Sequence, residues 1–272
     1  MLRQGQHLGI NGGSVSGNSN GKKEVHLTDG DPRRPRPIPF DGLVTNKLLT
    51  ALPGADFARL LPHLEPVWLL PGQEIYKTGE QIDFVYFPEN AVFSHVYFFS
   101  DGGTTGAALI GNDGMVGLSA VLNSGRSSHW TRVTISGNAV RARPEIIKQE
   151  FARGQAMHQL LLDYTHRRLI QLSQKAVCNG YHRLEERLCS WLLMVHDRSR
   201  EGQLSLTHEQ IACYLGARRA GITSACNKLR SRGTIEYRRG LIRIRDRAEL
   251  EKVACECYQA LSECFSPYPS TQ

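Results

Sequence analysis

The stretch Leu206–Leu229, LTHEQIACYLGARRAGITSACNKL, restricts what this chain can fold into more than any other. Thr207 is a helix N-cap residue, and Gln210 three positions on completes a capping-box pattern. Ile211, Ala212 and Leu215 give the helix that follows an apolar face. Gly216 stops it, because glycine accepts the left-handed conformation of a helix end. A second helix is predicted from about Arg218 to Arg230. Its apolar stripe is Ile222, Ala225, Cys226 and Leu229, and its other face carries Arg218, Arg219, Thr223, Ser224, Asn227 and Lys228. Two short helices joined by so tight a turn form a helix-turn-helix.

The polar face of the second helix has the chemistry of a base reader. Arginine pairs with O6 and N7 of guanine, asparagine does the same on adenine, and serine or threonine bonds several base edges or a phosphate. Arg218, Arg219, Thr223, Ser224 and Asn227 are the candidate base-reading residues, and Thr207 and Lys228 candidate phosphate contacts. From Arg218 to Arg245 there are nine Lys or Arg and one acid, Glu236, so the segment carries +8 against +7 for the whole chain. The positive charge is concentrated where phosphates would need it. Next, Gly233–Tyr237 alternates like a strand, Arg238-Arg239-Gly240 is a turn, and Leu241–Arg245 alternates again. This hairpin is the wing of a winged helix, with Arg238 and Arg239 at its tip as further phosphate contacts.

With 272 residues the chain has room for two domains. Its basic balance favours an acidic polymer as partner, although basic charge alone equally suits a membrane surface. No run approaches the ~18 apolar residues of a membrane span, and the start lacks a secretory pattern, so a cytoplasmic protein without membrane contact is expected. The cysteines number seven, an odd count, and several fall on apolar helix faces, which fits reduced thiols. Cys255-Glu256-Cys257 with Cys264 is the one local cluster. No metal or other cofactor is expected there, because no second close pair or nearby histidine completes a zinc pattern. There is no HExxH, GxSxG or phosphate-binding glycine loop, and no enzyme activity is expected.

Residues 1–40, rich in Gly, Ser, Asn and then Arg and Pro, read as a disordered tail. In residues 41–154, short helices broken at Pro53 and Pro62 lead into short apolar runs punctuated by Gly, Pro, Asn and Asp. That is the texture of a small antiparallel barrel, with a hairpin turn at Ser100–Gly103. Residues 155–179 form a long central helix with two apolar stripes. Met157, Leu160, Leu161 and Tyr164 suit packing on the barrel. Leu162, Thr165, Leu169, Leu172 and Ala176 have the three-and-four spacing of a coiled-coil seam, which would join two copies of the chain. Asn179-Gly180 reads as a hinge. Residues 180–260 hold the winged helix, backed by an amphipathic helix that Gly202 ends, and Asp246–Leu250 starts a last helix. Residues 261–272 are a tail.

This order of parts, with LTHEQIACYLGARRAGITSACNKLRSRGTIEYRRGLIRIRDRAEL as its most specific piece, resembles the Crp/Fnr family of bacterial transcription regulators over about Leu48–Tyr258. The resemblance implies an α+β fold: an N-terminal double-stranded β-helix (β-roll), a long central dimerisation helix and a C-terminal winged helix-turn-helix. It implies a homodimer on double-stranded DNA, half-sites roughly 34–36 Å apart, and RNA polymerase as a further partner. Arg219 stands at the family's main base-reading arginine. Ala220 occupies a position commonly glutamate, Ser224 one where another arginine is frequent, and Arg218 is an addition.

The sensory half departs from the family pattern. Relatives that bind cyclic AMP hold it with Gly-Glu and, further on, Arg-Ser. Here Met115 takes the acid's place and Ser127 the arginine's, with Arg126 one residue early. The pocket of Met115, Gly117, Ser127 and Ser128 is therefore read as degenerate, because it lacks the charge-assisted contacts. Iron–sulfur relatives carry N-terminal cysteines, whereas the first cysteine here is Cys178. His95 and His129, the candidates for a haem ligand, read as structural. The competing reading is a receptor for a cyclic nucleotide or dinucleotide whose ligand gates DNA binding.

Overall fold

A computed structural model of the chain describes residues 43–122, 125–199, 202–265 and 268. The expected N-terminal tail and the fraying expected at Ser266-Pro267 lie outside them. Two short helices, α1 (Lys47–Thr50) and α2 (Gly54–Leu60), and a 3-10 turn at Leu61–His63 come first. Asn46 caps α1, accepting from the amides of Leu48 and Leu49, and its own amide reaches the carbonyls of Pro88 at 2.8 Å and Gly114 at 3.0 Å. One buried side chain thus ties the entering helix to the barrel.

The barrel strands are β1 (Glu65–Leu69), β2 (Glu74–Tyr76), β3 (Val85–Pro88), β4 (Val92–Phe98), β5 (Thr104–Ile110), β6 (Trp130–Ile135) and β7 (Gly137–Ala142), with a short helix α3 (Leu118–Leu122) after β5. They form two antiparallel sheets, β1-β7-β3 and β2-β6-β4-β5, as the β-roll reading expects. Leu69, Val85, Phe87, Phe93, Val133 and Val140 fill the space between them. The β4–β5 hairpin turns at Ser100–Gly103, where the Asp101 carboxylate accepts from the Gly103 amide at 2.8 Å.

Helix α4 (Pro144–Ala152) leads to the central helix α5 (Ala156–Tyr181). Its two stripes behave differently within one chain. Met157, Leu161 and Tyr164 are buried in the β-roll core, and the Tyr164 hydroxyl donates to the Met115 carbonyl at 2.7 Å. Leu162, Leu169 and Leu172 are 44, 58 and 42 % exposed. Ala176 is also exposed, while Thr165 is half-buried with its hydroxyl on the Leu161 carbonyl. One apolar stripe is covered and the other is bare.

Then follow α6 (Leu184–Arg198), β8 (Leu204–Ser205), α7 (His208–Leu215), α8 (Arg219–Ser231), β9 (Ile235–Arg238), β10 (Leu241–Ile244), α9 (Arg247–Val253) and α10 (Cys257–Cys264). Several details differ from the sequence reading. The helix does not break at Asn179-Gly180; it runs on to Tyr181, since glycine near a helix end costs only about 1 kcal/mol. The break comes at His182-Arg183, whose extended backbone ends α5 and starts α6, with Glu186 bonded back to the Arg183 amide. Helix α6 ends at Arg198, before Gly202. It is less amphipathic than expected, because Leu188, Cys189, Ser190, Trp191, Leu192, Leu193 and Val195 are all buried. Helix α10 and strand β8, which makes the wing sheet three-stranded in the order β8-β10-β9, are not legible in the sequence.

The extra burial of α6 has a cause. Val92, Leu109 and Ile135 of the β-roll share one apolar cluster with Trp191, Leu192 and Tyr214. Gly106 on β5 allows this approach: a Cβ there would come within 2.9 Å of the Tyr214 Cα. Beside it, Arg198 and Asp113 form an ion pair at 2.7 Å with side chains only 8 and 7 % exposed. The winged helix is docked on the β-roll, not merely tethered to it.

Candidate nucleic-acid interface

The local sequence explains how α8 is presented. The Thr207 hydroxyl accepts from the Gln210 amide, and the Gln210 side chain accepts from the Thr207 amide at 2.8 Å, so the capping box is complete. Gly216 sits at φ 59°, ψ 43°, the left-handed geometry in which a β-carbon is costly. It turns the chain from α7 to α8. Ile222, Ala225, Cys226 and Leu229 are buried against α6 and α7, so α8 can show only its other side. Burying each of the larger two contributes about 1.5–3 kcal/mol.

On that other side Arg218, Arg219, Ser224, Asn227 and Lys228 are exposed or half-exposed. Thr223 is not free. Half-buried, its hydroxyl donates to the Arg219 carbonyl at 3.0 Å and lies 2.9 Å from His208 Nδ1. It is better placed to brace the helix than to read a base. His208 gives no signal in the sequence, where it looks like an ordinary first-turn residue. Its ring stacks on Tyr237 of the wing, with centroids 4.3 Å apart, so it links α7, α8 and β9. Burial, followed by the nearby Arg219 charge, lowers its pKa and favours the neutral ring.

The basic residues divide into two groups. Lys228 and Arg232 both face Glu185, at 3.6 and 2.9 Å, and Arg245 pairs with Glu236. Among the described residues, Arg218, Arg219, Arg230, Arg238, Arg239 and Arg243 have no carboxylate within ion-pair distance, and none of the six is buried. Lys228, expected on a phosphate, is thus already partly neutralised. At the wing tip, Arg239 at φ 50° and Gly240 at φ 81° form the two-residue turn between β9 and β10. Arg239 is the one non-glycine residue with positive φ among the described residues. An arginine held there costs roughly 1–2 kcal/mol relative to an ordinary conformation. The wing keeps a cation at its tip in spite of that strain.

Met115, Gly117 and Ser127 line a cavity of about 250 Å³, together with His95, His129 and, from the central helix, Arg168. Ser128 does not line it; its hydroxyl is 3.0 Å from His129 Nδ1. Arg126 does not substitute for the missing arginine, because it is exposed and donates to the Gly79 carbonyl at 2.8 Å. The Ser127 hydroxyl is turned onto the His129 carbonyl at 2.6 Å. Arg168, which no sequence motif announces, is the buried cation of the pocket, donating to the Leu109 carbonyl at 3.0 Å. The His95 and His129 rings lie 3.7 Å apart. Burial first, then neighbouring positive charge, pushes both pKa values down, that of His129 to about 4.

The cysteine reading needs one correction. All seven cysteines are unbridged in the structure. In the sequence, the case against a metal is that no histidine lies near Cys255 and Cys257. The fold supplies one: Cys178, His182, Cys255 and Cys257 converge, and Cys264 is not part of the group. Among the described residues no helix is long and apolar enough to cross a membrane.

Residues 186–253 match the Crp-like helix-turn-helix domain. No curated protein sequence matches the chain. Among solved structures, FixK2 from Bradyrhizobium japonicum superposes with a TM-score of 0.59 at 20% identity, over 71% of this chain and 98% of that one. The c-di-GMP responsive global regulator CLP from Xanthomonas campestris gives 0.55 at 15%, over 71% and 99%. TTHB099, a Crp-family transcriptional regulator from Thermus thermophilus, gives 0.56 at 18%, over 70% and 96%. Residues 186–253 thus match a Crp-like helix-turn-helix domain, and the chain shares the overall fold of these solved structures.

Proposed function

We propose that this chain is a sequence-specific transcription regulator that binds double-stranded DNA as a homodimer, with α8 in the major groove and the wing on the flanking backbone. One observation carries the reading: an accessible helix face of Arg218, Arg219, Ser224 and Asn227, rigidly backed and with both arginines clear of any described carboxylate. Dimerisation through α5 is supported by the bare Leu162–Leu169–Leu172 stripe beside an otherwise packed helix. Arg238 and Arg239 are assigned to phosphates, and Thr223 to bracing α8. RNA polymerase is the natural further partner of such a regulator, and the function needs no catalysis.

In vitro selection from random duplexes tests this. A dimer should enrich a two-fold symmetric site with half-site centres about 34–36 Å apart, one helical turn. Enrichment of no motif, or of a single unrepeated half-site, contradicts it.

The cavity keeps a second reading in view, in which an effector gates DNA binding. Cyclic AMP is a poor fit, because Met115 and Ser127 replace the two charged contacts and Arg126, bonded to the Gly79 carbonyl, is not among the residues lining the cavity. A buried Arg168 beside two neutral imidazoles suits another anionic or polar ligand, the alternative being a cyclic nucleotide or dinucleotide. A thermal-shift scan discriminates, since a ligand above its dissociation constant raises the melting temperature.

A further inference from the structure

We propose that Cys178, His182, Cys255 and Cys257 form a zinc site that fastens the end of the central helix to the last two helices. Cys178 and His182 lie one turn apart at the end of α5, where His182 is the residue that closes the helix. Cys255 and Cys257 flank the turn from α9 into α10. Cys178 and Cys255, 77 residues apart in sequence, have their sulfurs 3.6 Å from each other. Cys257 Sγ is 3.4 Å from His182 Nδ1. All four donor atoms fall within 4.8 Å of one another.

These separations suit one small tetrahedral ion. With Zn–S near 2.3 Å and Zn–N near 2.0–2.1 Å, neighbouring ligands of a tetrahedron stand about 3.5–3.8 Å apart. Three thiols and an imidazole with no oxygen ligand exclude calcium and magnesium, which take oxygen donors, and favour zinc in a closed structural site.

The surroundings agree independently. His182 Nε2 lies 3.1 Å from the Glu256 carboxylate, the outer contact that fixes a ligating histidine with its other nitrogen toward the metal. The Gln174 amide donates to Cys257 Sγ at 3.0 Å, and the buried Ser190 hydroxyl is 3.0 Å from Cys255 Sγ. Such donors stabilise thiolates. They come from α5 and α6, so the central helix, the helix that backs α8 and the C-terminal pair all meet at this point. A metal here adds its binding free energy to the fold and fixes the angle at which the winged helix leaves α5.

The test uses the full-length protein, purified reduced, with zinc supplied and excess removed by desalting. Elemental analysis should find one zinc per chain in the wild type and in Cys264→Ser, and none in Cys178→Ser or Cys257→Ser. Because those last two variants could fail to fold, cobalt titration of chelator-stripped wild type stands beside them. It should give thiolate-to-cobalt charge transfer and the intense visible bands of tetrahedral cobalt, saturating at one equivalent and erased by zinc. Wild type that retains no zinc and gives only the pale spectrum of six-coordinate cobalt overturns the proposal. So does isolation of the chain with an iron–sulfur chromophore, or with a Cys178–Cys255 disulfide that forms equally with and without zinc.

Discussion

Asp113→Asn is the sharpest probe of how the two halves are joined. The Asp113 carboxylate and the Arg198 guanidinium are each more than nine-tenths buried and 2.7 Å apart. Removing one charge leaves the other in the interior with only the Met194 carbonyl, 3.1 Å away, as a described backbone acceptor. Breaking a buried pair from one side costs about 3–5 kcal/mol. Glu236→Gln is the matched control. It removes the same kind of charge from Arg245, but both side chains there are half exposed, at 51 and 52 %, and such pairs contribute about 0–1 kcal/mol. With a urea m-value of about 3 kcal/mol/M, the first substitution should lower the midpoint by roughly 1–1.7 M and the second by less than about 0.3 M. Asp113→Leu with Arg198→Met should recover most of the loss, because a well-packed apolar pair can replace a buried ion pair. Equal shifts in the two single variants, or no rescue in the double, would refute the docking argument.

Three further outcomes follow. Leu169→Glu puts a charge in the bare stripe of α5, the proposed dimer seam, and should give monomers in sedimentation velocity; an unchanged sedimentation coefficient rules out the seam. Arg239→Asn relieves the positive-φ strain at the wing tip and should raise stability by about 1 kcal/mol while weakening binding to all duplexes alike, with a shallower salt dependence; tighter DNA binding would contradict a phosphate contact. His129, neutral in the fold with its pKa pushed down to about 4, regains its ordinary value of about 6.5 on unfolding, and His95 shifts in the same direction. Between those pH values the unfolded chain binds more protons, so stability should fall as pH drops from about 6.5 toward 4 and be flat above, while His129→Phe shows a smaller slope.

What the sequence discloses divides along lines of distance. The helix-turn-helix is legible because its signals are local: Thr207 and Gln210 are three residues apart, Gly216 must turn, and the apolar stripe of α8 repeats every three or four residues. The two stripes of α5 are legible for the same reason. Contacts across long separations are not. Nothing near Cys255 announces Cys178, and nothing near Arg198 announces Asp113. Gly106 reads as an ordinary strand glycine until the Tyr214 ring is seen against it. Helical spacing puts Thr223 on the polar face but cannot show that His208, from the preceding helix, takes its hydroxyl. Propensity alone makes Gly180 a hinge, whereas α5 continues past it and the Arg183–Glu186 bond starts α6 beyond it.

In the proposed complex α8 reads base edges with Arg219. Measuring Arg219→Ala against the selected site and every single-base variant of it tests this directly. Base reading by Arg219 should show as a loss of about 1–3 kcal/mol on the intact site and loss of discrimination at one base pair of each half-site, with the others unchanged. Uniform weakening across all the duplexes, or no change in preference at any position, would contradict it.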